Sequence, residues 1–283
     1  MKPVNTNDFK IDGPFSIQDM PTAIDLSCSG EETANALKKL SKKLFKLQEM
    51  MFANNRYSVL KDSLVREVFR RFNARGINVY SFKTPTSTEL GHDYLWRHYI
   101  ALPEKGKFTV FNRSHYENVL ASRVHPEYLL NENLPGITSV EEVPEDFWQQ
   151  RFEQINNFEK HIAQNGTIIL KFYLHLSKQE QKNRLLRRLE DTKRNWKFSP
   201  SDIAEREFWD MYTAYYEDAI INTSRPHAPW YVIPADDKGT ARYLVAKTIY
   251  DVLKKKEDIK KPLVDEEVLQ NISRYREKLK NEG

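Results

Sequence analysis

Asn112, Arg113, Ser114 and Glu117 stand together in "FTVFNRSHYENV", directly after a short apolar run. An arginine in that setting can fork onto two phosphate oxygens. Asn112 and Glu117 carry hard oxygen donors of the kind that hold Mg²⁺ or Mn²⁺, directly or through water. Ser114 followed three residues later by Glu117 also fits a helix capping box, and capping by Ser114 leaves Arg113 able to bind. A second group lies in "RLLRRLEDTKRNWKFSPSDI", residues 184–203. Arg184, Arg187, Arg188, Lys193, Arg194 and Lys197 crowd there, interrupted by Glu190 and Asp191. The first three read as helical, and 193–198 read as a link ending at Ser199-Pro200, a good helix start. Trp196 and Phe198 interleave with the charges. A basic flap closing on phosphates would expel water and strengthen each contact; a solvated charge run is the plainer alternative. The third group is "SFKTPTSTELGHDYLWRHYIALP". Lys83 follows a strand-like run and can reach a phosphate, Thr86 or Ser87 can cap the next helix with Glu89 in its first turn, and Asp93 and Arg97 have pairing distance.

Other chemistries find little support. The single cysteine, Cys28, makes neither an internal disulfide nor a metal site alone. No His/Cys/Asp spacing fits zinc, and no serine or cysteine triad can be argued. The formal charge is +4, from 44 basic and 40 acidic residues, a weak bias that leaves polyanion binding to local clusters. Aromatics make up 12% of the chain, mostly within apolar runs, so packing explains them better than nucleic-acid stacking. No run approaches the roughly 18 apolar residues of a membrane span. The start, "MKPVNTNDFKIDG", lacks an apolar signal core, and a cytoplasmic location is expected.

Those groups need a scaffold. Five short apolar runs, 57–60, 77–82, 108–111, 167–174 and 230–234, alternate with helical patterns at 62–74, 88–100, 144–164, 201–222 and from Lys238. None of the runs alternates cleanly, so each reads as buried on both faces. The expectation is an α/β fold with a parallel sheet covered on both sides and right-handed crossovers. Ligands then sit beyond the C-terminal strand ends. These ends are polar throughout: Lys61, Asp62 and Ser63, then Lys83, then "NRSHYE", then His175 and the basic helix, then "ADDK". Residues 1–30 read as an arm on the surface or on a partner. The 31–55 segment places Leu37, Leu40, Leu44 and Leu47 at helical spacing, a packed outer helix rather than a membrane-surface one. Residues 125–144 read as an insertion loop. From Lys254 the chain is highly charged, a solvated helix pair or partly disordered tail, with 257–283 set apart from a 31–256 domain.

At this point the chain resembles the polyphosphate kinase 2 family, over about residues 35–255. The words that carry the resemblance are "SFKTPTSTELGHDYLWRHYIALPEKGKFTVFNRSHYENVL", "RFEQINNFEKHIAQNGTIILKFYLHLSKQEQKNRL", "WKFSPSDIAERE" and "YEDAIINTSRPHAPWYVIPADDK". The resemblance implies a three-layer α/β/α P-loop kinase-like sandwich with a five-stranded parallel sheet and a helical lid near 184–205. It implies a phosphotransferase moving phosphate between inorganic polyphosphate and ADP, AMP or ATP, or their guanine equivalents, with Mg²⁺ or Mn²⁺, as a homodimer or homotetramer. The "NRSHYE" and "WKFS" forms look most like the subgroup accepting both mono- and diphosphates. By resemblance Lys61 ends the family's G-x-D-x-x-G-K loop, Asn112 and Arg113 lie in its Walker B-like word, Lys83 binds phosphate, Arg184, Arg188 and Lys197 belong to or flank the lid, and Glu117 is an acid near metal and substrate.

Two departures matter. Gly239 follows "DDK", where the family has a bulky residue. More important, "YSVLKDSL" has no glycines and no loop aspartate. Without glycine the backbone cannot wrap a phosphate, and strand-to-helix connections usually take about 2–6 residues. Two explanations of the Leu60–Lys61 joint stand: a loop of the natural protein that this sequence lacks, or a true deletion leaving a polyphosphate- or nucleotide-binding oligomer. An ordinary nucleotide kinase with ATP as donor is the remaining enzyme reading.

Overall fold

The structure, a computed structural model, describes residues 1–62, 67–193 and 195–282, without the side chains of Lys61, Asp62 and Lys197. The strands are β1 (Ser58–Asp62), β2 (Ile77–Ser81), β3 (Phe108–Asn112), β4 (Thr167–His175) and β5 (Trp230–Pro234). They form one sheet in the order β2-β3-β1-β4-β5, and every pairing is parallel. The helices are α1 (Gly30–Asn54), α2 (Ser87–Leu90), α3 (Trp96–Tyr99), α4 (Ala121–Val124), α5 (Phe147–Gln164), α6 (Lys178–Glu190), α7 (Ser201–Glu207), α8 (Trp209–Thr223), α9 (Lys238–Lys254) and α10 (Glu266–Lys280).

Parallel strands need long crossovers, so both faces become covered. Alternation along each strand assigns the faces. Val59, Val110, Leu170 and Ile233 pack with Leu44 of α1 and with Leu244 and Ile249 of α9. Leu60, Phe111 and Ile169 point the other way, onto Phe158 and Ile162 of α5. Val232 joins Ile155 of α5 and Ile220 of α8 on that same side. This double burial is why the strands read as continuous apolar runs. Helix α1 has a full capping box, Ser29 with Glu32, and ends at Asn55 in the left-handed region (φ 50°). Its leucines face α9, so it is the packed outer helix.

The chain leaves β1 toward β2 and leaves β3 toward β4, in opposite senses across the sheet. The adjacent ends of β1 and β3 are therefore the topological switch point, where open α/β sheets place their ligands.

Several expected elements are corrected. Lys61 and Asp62 do not follow the first strand. Their backbones lie within it, Lys61 opposite Val110 and Leu170, Asp62 opposite Phe111. A central strand that stopped at Leu60 would strand the polar groups of both neighbours, so the next residues are drawn into the ladder. The expected helix at 62–74 is also absent among the described residues: 67–72 are turns and bends, followed by a 3₁₀ turn at Ala74–Gly76. Between Asp62 and Ile77 the chain must travel back along the strand, about 17 Å. A 13-residue helix would climb about 20 Å and leave almost nothing for a turn at either end. The expected 88–100 helix is two short ones, split after Gly91, and the 201–222 helix breaks at Phe208. Arg97 pairs with Glu89 (3.1 Å) rather than with Asp93, whose carboxylate accepts from the Leu95 amide (2.9 Å) instead.

The first residues are bound to the sheet. Ile11 N donates to Trp230 O (3.0 Å), and Lys10 forms an antiparallel bridge with Tyr231 along β5. Phe9, Ile11, Ile17 and Leu26 are buried. Half of the 125–144 segment is 3₁₀, at Pro126–Glu132 and Val140–Glu142. Among the described residues no helix is long and apolar enough to cross a membrane.

Candidate active site

The site is built around the end of β3. Asn112 is the last strand residue, and its amide Nδ2 donates to Ser81 Oγ at the end of β2 (3.1 Å). The Phe82 amide donates to Asn112 O (3.1 Å), which ties the two strand ends together. Arg113 then takes φ +63°. A left-handed conformation costs a non-glycine residue about 1–2 kcal/mol, so the surroundings must impose it. They do. Ser114, His115 and Tyr116 are all buried, and Ser114 Oγ accepts from the Tyr116 amide to cap the 3₁₀ helix His115–Val119. Arg113 itself is exposed. A rigid turn thus throws one guanidinium outward at the switch point.

What holds that turn is a buried charge network. Lys171 of β4 is 1% exposed and Glu159 of α5 is 0% exposed. Lys171 Nζ donates to Glu159 Oε2 (2.6 Å), to Tyr116 Oη (2.8 Å) and to the Thr223 carbonyl (2.8 Å). Glu159 Oε1 accepts from Tyr116 Oη (3.0 Å) and lies 3.1 Å from His115 Nε2. Burial alone would push the Glu159 carboxyl up, but the Lys171 ammonium and His115 outweigh it and hold it below the usual carboxylate range. Strand β4, helix α5, the end of α8 and the turn after Arg113 meet at these atoms. Beside them His98 is pushed down to about 2, by burial first and then by the neighbouring His115 and Arg97.

The other strand ends complete a rim. Lys83 is exposed, two residues beyond β2. After β4, Ser177 caps α6, and its own amide donates to Asp236 Oδ1 (2.7 Å). Arg184 of α6 donates to the carbonyls of Ala235 (2.6 Å) and Asp236 (3.1 Å) and pairs with Glu180 (2.9 Å). Asp237 caps α9 by accepting from the Thr240 amide (2.7 Å). A Cβ on Gly239 would come within 3.3 Å of that capping oxygen, which favours glycine there. Lys238 follows the cap. Its ammonium is pushed down by burial and by the cations of Arg184, Arg187 and Arg242. Arg187 pairs with Glu180 (2.6 Å), and Arg188 with Asp202 of α7 (3.0 Å). Trp196 is 78% exposed, its indole donating to the Lys193 carbonyl (3.1 Å).

The expected residues fall into three sets. Asn112, Arg113 and Lys83 stand at the neighbouring ends of β3 and β2, and Glu117 follows one turn on, half-buried. Arg184 and Arg188 stand on α6, beyond β4, with Arg184 committed to backbone carbonyls. Lys61 and Asp62 have backbones inside β1 rather than beyond it, and Lys197 lies in the 3₁₀ turn Asn195–Lys197. Ser63 and Arg194 lie outside the described residues. Three strand spacings, about 14 Å, separate the ends of β3 and β5. A cation-lined rim of that width suits an extended polyanion better than a single phosphate.

Sequence reading missed Lys171, Glu159 and Arg242, and gave Lys238 only as the last residue of the polar "ADDK" strand end and a helix start. For Lys171 the signal was present: a lysine in the middle of "TIILKFYL" must find a buried partner. Glu159 falls among Ile155, Phe158 and Ile162, the inward face of its helix. The Lys238 cluster depends on how α6 folds over β5, which no local pattern specifies.

The donors fit a hard cation only with help from substrate. Among the described residues no group of three His, Cys, Asp or Glu side chains could hold a metal. Asn112 spends its amide nitrogen on Ser81, which leaves its oxygen as the donor atom, and Glu117 adds one carboxylate. Mg²⁺ is commonly held by one or two carboxylates, waters and substrate phosphates, so this set fits.

Comparison with known proteins gives the same direction. The family model described as polyphosphate kinase 2 matches residues 27–261. An ADP-polyphosphate phosphotransferase of Rhodopseudomonas palustris is 42% identical over 244 residues, 82% of this chain and 83% of that protein. An AMP/ADP-polyphosphate phosphotransferase of Meiothermus ruber is 42% identical over 235 residues, 79% of this chain and 82% of that one. The crystal structure of polyphosphate kinase 2 from Arthrobacter aurescens TC1 superposes with a TM-score of 0.86 at 30% identity, covering 95% of each chain. The cation-lined strand ends, the five-stranded parallel sheet and these likenesses agree: the chain belongs to the polyphosphate kinase 2 family.

Proposed function

We propose that the protein transfers phosphoryl groups between inorganic polyphosphate and ADP or AMP, in either direction. The observation that carries this is the 42% identity, over about four-fifths of each chain, to relatives named for that reaction. The exposed Arg113 on its fixed turn supports it.

Phosphoryl transfer depends on positioning and charge neutralisation more than on covalent help. In this reading Lys83 and Arg113 line one stretch of the rim, and Lys238 with Arg187 and Arg242 the other. Polyphosphate lies along it, with the nucleotide's terminal phosphate meeting its end. The attacking phosphate oxygen is already ionised, so no residue need act as a deep general base. Arg113 stabilises the equatorial oxygens as charge redistributes. Bound at Asn112 and Glu117, Mg²⁺ or Mn²⁺ would supply further neutralisation of the reacting oxygens. Residues 184–205 act as a lid whose arginines exchange their acidic partners for phosphate.

The test is ATP formed from ADP with polyphosphate as the only donor. Formation of ATP supports the reading. ATP outperforming polyphosphate as donor to AMP would instead favour the nucleotide kinase. Binding of polyphosphate that is lost at high salt, with no transfer, would favour a binding oligomer with a deleted phosphate loop. An intact mass of 33.5 kDa for the natural protein means a true deletion at the Leu60–Lys61 joint, and a peptide map with extra residues between Leu60 and Lys61 means a loop belongs there.

A further inference from the structure

Helix α10 lies beyond residue 261, where the family match ends. Apart from half-buried Asn271, every one of its residues is exposed. Yet it is amphipathic. Val268, Ile272, Tyr275 and Leu279 follow one another at steps of four, three and four, the spacing of a coiled-coil seam. Their exposures are 42, 51, 45 and 68%. Val264 and Leu269 widen the apolar stripe, both about half exposed or more. A solvent-facing helix gains nothing from such a stripe unless something covers it.

Charge selects what covers it. The first half carries Asp265, Glu266 and Glu267 with no cation. The second half carries Arg274, Arg276, Lys278 and Lys280 against the single acid Glu277. Two such helices laid parallel would set like ends together. Laid antiparallel, each acidic end meets a basic end and the helix dipoles oppose. Centred between residues 273 and 274, that pairing puts Val268 of one copy beside Leu279 of the other, and Ile272 beside Tyr275.

We infer that α10 docks antiparallel onto the α10 of a second copy of this chain. The helix is about 22 Å long. The buried area falls below that of a standard stable interface, so the contact is weak and salt-sensitive by itself. It adds to any other contact between copies and is independent of the catalytic reading.

The test uses full-length chains in a Cys28→Ser background. Val268→Cys chains mixed with Leu279→Cys chains should form the mixed disulfide under mild oxidation, at least about tenfold above either homodisulfide. Reversing Glu266→Lys and Glu267→Lys in both chains should abolish it, as should Lys278→Glu and Lys280→Glu in both. Giving one reversal to each chain should restore it. All of the α10 positions changed are exposed, and circular dichroism checks that α10 persists. Predominant homodisulfides mean a parallel pair and overturn the inference. So does the absence of any cross-link, or a cross-link indifferent to charge reversal, which would mean α10 covers its stripe on another surface or not at all.

Discussion

Lys171 and Arg188 are both cations near the candidate site, and they are held in opposite ways. Lys171 is 1% exposed, bonded to a carboxylate, a phenol and a carbonyl, with every donor matched. Arg188 has one acidic partner, Asp202, and its side chain is 41% exposed. A buried charge without partners costs several kcal/mol, so evolution must either satisfy it fully or remove it. A half-exposed arginine sharing one carboxylate gives up little when it changes partner. The first arrangement builds a rigid mount, and the second leaves cations able to receive phosphate. Arg113 joins the two, an exposed side chain on the rigid turn.

Breaking the mount should have the largest effect. Lys171→Met leaves the Glu159 carboxylate buried without its ammonium partner, held only by Tyr116 and His115. It should cost about 3–5 kcal/mol, and thermal unfolding should lower Tm by about 10 °C. Combining it with Glu159→Leu should recover much of the loss. A single variant as stable as the parent would mean that the network is not closed to water. Next in size is Arg113→Gly. It should cut kcat by about 10²–10³ while stability holds or rises by about 1 kcal/mol, because glycine accepts φ +63° without strain. Falling activity together with falling Tm would place Arg113 in the mount rather than in the site.

His98, beside the mount, makes its stability depend on pH. Its folded pKa is pushed down to about 2, below the unfolded value near 6.5, so the unfolded chain binds the extra proton. The contribution is complete above pH 6.5 and falls as pH drops through the window toward 2. Denaturant titrations should show a slope of about 1.4 kcal/mol per pH unit in that window from this group. His98→Leu should flatten the profile by that amount. The smallest effect is expected from Arg188→Ala: Tm nearly unchanged, KM for polyphosphate raised several-fold, and the KM difference shrinking as salt rises. A several-fold rise in the Kd for ADP, measured with polyphosphate absent, would show that Arg188 serves the nucleotide instead.

The sheet was legible because each strand is buried on both faces, which leaves unbroken apolar runs such as "TIILKFYL" and "WYVIP". The strand ends were legible because Asn112, Arg113 and Lys83 interrupt those runs with charge. The joint at Leu60–Lys61 was legible as odd, but not in its outcome. Local pattern favoured a helix at once, while ladder completion beside β3 and β4 claims Lys61 and Asp62 for the strand. The short helices α2 and α3 read as one because apolar spacing runs through Gly91, whereas the turn there is fixed by the Asp93 carboxylate accepting from the Leu95 amide. The Lys238 cluster was invisible, since its members come from α6 and α9 and meet only in the fold.

The bond from Ile11 to Trp230 joins positions 219 residues apart in the chain. During synthesis the first dozen residues emerge early and have nowhere to go. Strand β5 is made last of the five, and until it takes its place the arm has no surface to lie on. Contacts of such separation slow folding, because the loop they close must be ordered first. Lys10 and Ile11 therefore settle only after β5 has taken its place, because the edge they pair with does not exist before then.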